Sequence, residues 1–190
     1  MTKKFLLIYV CTMIAIAVSA QKKVMFDLAH GQFQDTFVDP DYYDYVIPEY
    51  EKIAKEVGFQ LVMNKSGVTG QTLNGIDALL IISPLAKSTQ RNLTDTEKQA
   101  IIDYIRQGGS VIMFIDEEEY RANDITRKFG IEVLDDFEVP GNCGAVTFEN
   151  EIFDRRREIP CSGVRGIKGG IPASVCMEQG RQISAFVRLD

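Results

Sequence analysis

The stretch from Ile76 to Asp116 constrains the fold more than any other part of this sequence, because it encodes a strand, a helix and a second strand in direct succession. Two uninterrupted apolar runs, Ala78–Ile82 and Val111–Ile115, have the length of strands and are typical of strands covered on both faces. A strand, a helix and a strand in this order are joined by a right-handed crossover, which makes the two strands parallel.

The helix of this unit has sequence signals at both ends. Thr94 and Glu97 form a capping box, in which the hydroxyl and the carboxylate each accept a hydrogen bond from a backbone N–H that the helix leaves unpaired. Gly108 and Gly109 are typical of the residues that terminate helices. Between these signals, four apolar residues recur at helical spacing and predict a face packed against the sheet: Ala100, Ile101, Tyr104 and Ile105.

The residues before this unit show the same alternation. Val24–Phe26 predicts a first strand, Glu49–Val57 a helix that Pro48 opens and Gly58 ends, and Phe59–Met63 a second strand. The buried side of the helix is expected to contain Tyr50, Ile53, Ala54 and Val57. Alternating strands and helices predict an α/β fold, in this chain a three-layer sandwich with a mostly parallel, flavodoxin-like sheet.

The sequence changes character after residue 138, where Gly, Pro and Cys become frequent. We expect a short strand at Ile131–Leu134 and then a loop-rich C-terminal region, residues 139–190, within a single domain of residues 21–190. The chain stops in what resembles the middle of a hairpin, which predicts a short or truncated member of its fold. Short strands are predicted in the C-terminal region at Ala145–Phe148, Ser174–Met177 and Ile183–Leu189.

The first 20 residues have the pattern of a secretory signal peptide. Lys3 and Lys4 precede an apolar run from Phe5 to Val18, and Val18 and Ala20 occupy the cleavage positions. The apolar run is shorter than the roughly 20 residues that span a bilayer, which disfavours a retained membrane anchor. We therefore predict a secreted or periplasmic protein without a membrane span after cleavage.

The charge of the mature chain bears on its partners. Cleavage would remove Lys3 and Lys4 and no acid, which takes the formal net charge from −6 to −8. Unspecific binding to nucleic acid needs a basic surface that displaces phosphate counterions, so nucleic acid is not expected as a partner. About 170 residues remain, enough for one domain with a substantial core.

Polar residues follow the first predicted strand at the place where it ends. In open parallel sheets ligands bind beyond the carboxyl ends of the strands, so Asp27, His30 and Gln32 lie where a functional site is expected. His30 is the only histidine of the chain and can act as an acid, a base or a ligand. Alternatively, Asp27 and His30 form hydrogen bonds that hold the loop in shape.

The next segment, Phe33–Tyr45, is rich in aromatic and acidic residues and includes Tyr42 and Tyr43. It is predicted to be a long connection, and long ordered loops in compact domains are often functional. Aromatic rings beside carboxylates are a common way to hold sugars, which makes these tyrosines candidate ligand-binding residues. The alternative is that the tyrosines pack the loop onto the sheet.

An acidic run, Asp116–Glu119, follows the second strand of the central unit, and Asp116 is expected at the same sheet edge as Asp27. Asp116 and Glu117 offer hard oxygen ligands, and two carboxylates at one edge can serve as acid and base in sugar chemistry. The alternative is a solvated run that opens a helix. The run lacks the spacing of a calcium loop, and Gly67–Gly75 lacks the ending of a phosphate loop. We predict no metal and no cofactor.

Three cysteines and three arginines lie in the C-terminal region. In an oxidising compartment one pair among Cys143, Cys161 and Cys176 can form a disulfide, and we favour Cys161 with Cys176. The run Arg155–Arg157 can hold an anionic group by bidentate contacts, but salt bridges with neighbouring acids explain it equally well.

Several segments resemble the class I glutamine amidotransferase-like superfamily: VMFDLAHGQ, DALLIISP, LTDTEKQAIIDYIRQGGSVIMFID and KFGIEV. The resemblance covers roughly Lys23 to Val133. It is greatest to domains of gliding-motility transporter auxiliary proteins and to domains beside secreted polysaccharide-degrading enzymes of Bacteroidetes. This likeness implies an amidotransferase-like core and an association with polysaccharides or with an envelope complex.

The chain departs from the superfamily at the catalytic positions. Glutaminases of this kind place a cysteine on a tight glycine-flanked turn after a central strand, with histidine and glutamate partners further along. Here the turn after Val111–Ile115 is Asp116–Glu119, and no histidine follows it. The thiolate mechanism lacks its nucleophile and its base, so glutaminase activity is not expected.

Two hypotheses on function follow. The first is a secreted, non-catalytic binding or accessory domain associated with polysaccharide utilisation. The second is a glycan-active hydrolase or lyase that uses Asp27, His30 and Asp116 as acid, base and orienting groups. A component of an envelope transport or motility complex is a further alternative. We prefer the first hypothesis, because no activated nucleophile, metal triad or cofactor loop is visible in the sequence.

Overall fold

The computed structural model of the protein describes residues 21–30, 42–82, 92–115, 120–138, 143–161, 164–177 and 180–189. The predicted leader, Gln32, Asp116 and Glu117 lie outside these residues, and Tyr42 and Tyr43 are described only by their backbone. Among the described residues, no helix combines the length and the apolar character needed to cross a bilayer.

A four-stranded, fully parallel sheet forms the first part of the chain. Its strands are β1 (Lys23–Asp27), β2 (Gln60–Asn64), β3 (Ala78–Ile82) and β4 (Ser110–Phe114), in the spatial order β2-β1-β3-β4. All three strand pairs are parallel, which confirms the parallel pairing predicted for the two strands of the central unit. The chain moves from β1 to β2 on one side and then to β3 on the other, so the winding direction reverses at β1.

In the described part of the chain three α-helices accompany this sheet: α1 (Tyr42–Val57), α2 (Asp95–Arg106) and α3 (Asn123–Thr126), the last flanked by 3₁₀ turns. The capping box predicted at the start of α2 is present, and Gly108 adopts the positive φ that ends this helix. The predicted start of α1 was wrong, because the helix begins before Pro48 and continues through it. Ile47 and Tyr50, on either side of that proline, both pack against the core.

Side chains on successive strand residues point to opposite faces of the sheet and enter two apolar clusters. One cluster contains Phe26 and Leu80 with Ile47 and Tyr50 of α1. The other contains Leu79 with residues of the second and third helices, and its remaining buried members are Met25, Val68, Leu73, Ile81, Leu93, Ile101, Ile102 and Ile125. The stripe predicted on α2 contributes Ile101 at full burial and Tyr104 and Ile105 at partial burial.

Two predicted burial patterns were wrong. The strand β4 was expected to be covered on both faces, but Ile112 and Phe114 are each 53% exposed. Within the described residues β4 pairs only with β3 and lies at the edge of the sheet, which leaves part of one face uncovered. Ile53 and Val57 of α1, expected on its buried side, are also exposed.

The rest of the chain forms antiparallel sheets. The strand β5 (Ile131–Glu138) pairs with β8 (Arg165–Gly169). A second sheet has the order β10-β9-β6-β7, with β6 (Cys143–Thr147), β7 (Glu158–Cys161), β9 (Ile171–Cys176) and β10 (Gln182–Phe186).

Cys176 forms a disulfide. The backbone places Cys161 in β7 opposite Cys143 in β6, and β6 separates β7 from β9, the strand of Cys176. Two strand spacings amount to about 9.5 Å, which exceeds the Cα separation of about 7 Å that a disulfide can bridge. The strand order therefore argues against the predicted pairing of Cys161 with Cys176.

Candidate functional site

The candidate site lies at the carboxyl edge of the parallel sheet, where the winding direction reverses. Asp27 ends β1 and Asn64 ends β2, and the two residues are direct partners in the strand register. In open α/β sheets the crevice beyond such a reversal is the usual place for ligands, so the fold brings polar side chains to the position predicted from the sequence.

Asp27 is buried at the centre of a hydrogen-bond network. Its Oδ1 accepts hydrogen bonds from Asn64 Nδ2 at 3.0 Å and from the Ala29 N–H at 3.3 Å. Its Oδ2 lies 2.9 Å from His30 Nδ1. Both carboxylate oxygens are therefore engaged, as a buried carboxylate requires.

His30 is also buried, with 1% of its surface exposed. Its second ring nitrogen, Nε2, lies 3.1 Å from Glu97 Oε1. This contact has the distance of an ion pair but lacks the alignment of a hydrogen bond. The imidazole thus lies between two carboxylates, one from the end of β1 and one from the first turn of α2. A protonated ring has a donor for each of them.

Glu97 belongs to the network and to the cap of α2 at once. Its Oε2 accepts hydrogen bonds from the Thr94 N–H and hydroxyl at 3.0 and 2.8 Å, and its Oε1 accepts one from the Val68 N–H at 3.1 Å. Burial raises the pKa of this carboxyl, but hydrogen bonds from Thr94 and Val68 and the charge of His30 outweigh burial, so its pKa lies below its ordinary value.

Asn64 links the network to the loop after β2. Its Nδ2 donates to Asp27 and to the Gly67 carbonyl, while its Oδ1 accepts from the N–H and hydroxyl of Ser66. Four side chains together connect β1, β2, the loop after β2 and α2: Asp27, His30, Asn64 and Glu97. We call these four residues the edge network.

The structure brings Asp27 and His30 together as the sequence predicts. From the sequence, Glu97 was predicted only as part of a helix cap, and Asn64 was not predicted as a site residue. The rule that located Asp27, a polar residue at the end of a strand, also applies to Asn64. The contact between Glu97 and His30 joins residues far apart in the sequence, and the pattern contains no signal for it.

The chemistry of the edge network is limited by its closure. Among described residues, His30 makes no hydrogen bond to a serine, threonine or cysteine that it could activate as a nucleophile. The two carboxylates face different ring nitrogens and do not converge on one point. Within the described ranges, no group of three or more His, Cys, Asp or Glu residues is arranged to hold a metal ion.

These features define an α/β protein with a four-stranded parallel sheet and a closed polar network at its carboxyl edge. No protein-family model and no curated protein matches the chain. A solved structure described as the mmIFT52 N-terminal domain is similar, with a TM-score of 0.60 and 13% sequence identity over 85% of this chain and 77% of that chain. At this identity the likeness concerns the fold alone.

Proposed function

We propose that the protein is a secreted, non-catalytic binding or accessory domain associated with polysaccharide utilisation. One observation carries the non-catalytic part of this proposal. The only histidine of the chain is 1% exposed, and each of its ring nitrogens faces a carboxylate.

A general acid or base must come within hydrogen-bonding distance of the group that gives or takes its proton. His30 has no ring nitrogen turned to solvent, and Asp27 uses both of its oxygens inside the protein. The edge network therefore suits a structural role: it fixes the start of α2 to the ends of β1 and β2. This arrangement gives no support to a hydrolase or lyase built on Asp27 and His30.

The remaining parts of the proposal rest on the sequence. The leader pattern supports export, and the resemblance to domains beside polysaccharide-degrading enzymes supports the association with glycans. We further propose an amidotransferase-like, three-layer arrangement with a flavodoxin-like sheet, in which the catalytic elbow of the superfamily has been replaced by Asp116–Glu119. A role in an envelope transport or motility complex is the alternative if no glycan is bound.

A glycan array probed with the purified protein tests this function. We expect retention of at least one polysaccharide, with no new reducing ends or unsaturated products after long incubation. Failure to bind any plant, microbial or host polysaccharide would contradict the proposal.

His30→Gln provides the matched variant for the catalytic alternative, because glutamine keeps a polar group at the buried position. We expect it to retain glycan binding and to lose only stability. Product formation by the wild type that disappears in a folded His30→Gln variant would establish the hydrolase or lyase instead.

A further inference from the structure

A groove lies on the side of the parallel sheet that carries α2 and extends along this helix from its first turn to the residues after its end. It runs between the 70–77 segment and the outer surface of α2 and has a volume of about 910 Å³. Asp77, which precedes β3, and Gly108 and Gly109, which precede β4, close one end of it.

One wall of the groove is a regular row of polar side chains on α2. Asp95, Gln99 and Asp103 are spaced four residues apart on one side of the helix, at intervals of about 6 Å. Gln107, the residue that follows the end of the helix, continues the row. Carboxylates and amides alternate along this row, and all four residues are exposed. Gln99 Nε2 donates to Asp103 Oδ1 at 2.8 Å, which fixes the orientation of both side chains and leaves Gln99 Oε1 and Asp103 Oδ2 for a ligand.

The opposite wall is built from a glycine-containing turn. Asn74 is exposed, and its side-chain amide makes no hydrogen bond within the described part of the chain. Gly75 follows it with φ of +73° and no atom within 4 Å of the place where a Cβ would stand, so the backbone there is open to a ligand. Asp77 uses Oδ2 to accept the Lys23 N–H at 2.8 Å.

Tyr104 lies in the groove between these walls and is held rigidly. Its hydroxyl donates to the Ile76 carbonyl at 3.0 Å, and its ring lies so close to Gly109 that a Cβ there would collide with it. Burial and the nearby charge of Asp77 raise the pKa of Tyr104, against a hydrogen bond from the Ser110 backbone. The phenol therefore stays neutral at physiological pH.

The charges of the groove select against anions. Asp77, Asp95 and Asp103 line it, and its described lining contains no lysine or arginine. Lys98 pairs with Asp95 from the neighbouring face, and Arg106 lies 3.8 Å from Asp103. The aspartate of each pair is exposed to solvent. Because exposed ion pairs are weak, a cationic group of a ligand can replace the lysine or arginine as the partner of the aspartate.

We propose that this groove binds an extended, amine-bearing glycan, with its hydroxyls on Asn74, Gln99 and Gln107 and its ammonium groups on the three aspartates. The inference rests on the proposed function and adds a place and a ligand class to it. The regular spacing on α2 matches a repeating polymer, and the fixed ring of Tyr104 offers an apolar surface to one sugar face.

Calorimetric titration at low salt tests the assignment with two ligands of equal length, a glucosamine oligomer with free amines and its fully N-acetylated counterpart. The groove should favour the amine-bearing oligomer, and raised salt should remove most of the preference. Asp103→Asn should weaken binding of the glucosamine oligomer about fivefold, as expected for one partly exposed charge pair. Glu149→Gln is the control, since it removes an exposed carboxylate outside the groove.

Asn74→Ala separates hydroxyl recognition from charge, because it should weaken both oligomers to the same extent. Equal binding of wild type and Asp103→Asn to a retained glycan would overturn the groove assignment and leave the proposed function standing. An array on which no glycan is retained would overturn both. Oligolysine should not displace the glucosamine oligomer when both are added at the same concentration of positive charge. If it does, the groove binds polycations in general and the glycan assignment is refuted.

Discussion

The parallel and antiparallel parts of the molecule are stabilised in different ways. Buried side chains of the parallel part are large, and both apolar clusters lie there, with Phe26, Leu79 and Ile101 fully buried. In the antiparallel sheet that contains β6 and β9 the buried residues are small: Ala145, Val146, Thr147, Ala173, Ser174 and Cys176. Since hydrophobic stabilisation scales with the apolar area removed from water, the parallel part should contribute most of it.

Exposed apolar residues and polar contacts extend the comparison. Phe148, Ile152 and Met177 are among the large apolar residues that remain exposed in the antiparallel part. Its polar contacts each join two segments, such as the 2.6 Å hydroxyl pair of Ser174 and Ser184 across β9 and β10 and the 3.0 Å ion pair of Glu151 and Arg188. The edge network instead joins four segments of the parallel part. The antiparallel part therefore depends more on backbone pairing and on the disulfide of Cys176.

Truncation of the core should have the largest effect. Leu79→Ala removes a fully buried side chain from the central strands and should cost about 2–5 kcal/mol of unfolding free energy. All seven tyrosines lie at or before Tyr120 and the chain has no tryptophan, so tyrosine fluorescence during urea denaturation reports on the parallel part. Val146→Ala in β6 is the counterpart in the antiparallel part and should cost less, as measured by hydrogen exchange of β6 in both variants. Equal losses would break the contrast between the two parts.

Loss of the disulfide should come next and should affect the other part. Cys176→Ser should cost about 2–4 kcal/mol, since a cross-link restricts the unfolded chain. Hydrogen exchange followed by mass spectrometry should show reduced protection in β6, β9 and β10, with little change in the tyrosine transition. Dithiothreitol should reproduce this result in the wild type and add nothing in the variant. A shift of the tyrosine transition as large as the loss of protection would mean that the two parts unfold as one unit.

The same contrast explains what the sequence predicted. Each parallel strand is a compact apolar run, and the signals that start and end α2 are local, so their positions were predicted to within one residue. The strands β7 and β8 were missed, because Pro160 and the glycines of β8 weaken any strand pattern, and their pairing depends on distant segments. Burial was mispredicted at Ile112 and Phe114 for a similar reason: an apolar run does not reveal whether its strand lies at a sheet edge.

The candidate site shows more clearly which features could not be predicted from the sequence. Asp27 and His30 could be placed at a strand end from local pattern and the general rule for parallel sheets. Their closure by Glu97 could not be foreseen, because it depends on how α2 is positioned relative to β1. That closure separates a usable histidine from a structural one, so the sequence located the site but could not decide its chemistry.

The smallest predicted effect is the pH dependence of the unfolding free energy that Glu97 contributes. It tests whether the edge network stabilises the parallel part. The pKa of Glu97 in the folded protein lies below its ordinary value of 4.5. A carboxylate of this kind stabilises the fold above its unfolded pKa, and the contribution is lost as pH falls through the folded pKa. Glu97→Gln keeps one acceptor oxygen for the cap, but it removes the charge and replaces the second acceptor by an NH2 donor. It should therefore cost about 1 kcal/mol at neutral pH and progressively less as the pH falls below 4.5.

The direction of this pH dependence can be checked by urea midpoints, measured by tyrosine fluorescence at about pH 7, 4.5 and 3. These values are chosen around the ordinary glutamate pKa of 4.5. The wild-type and Glu97→Gln curves should converge towards acid pH, whereas Glu149→Gln should follow the wild type throughout, since its carboxylate is exposed and outside the network.

The same test on His30→Gln should show whether His30 and Glu97 act together. Because the two side chains are in contact, their substitutions should be non-additive at neutral pH, and the coupling should disappear once Glu97 is protonated. Additive losses at every pH would mean that the 3.1 Å contact contributes nothing, and the histidine would then be free of the partner that closes the site.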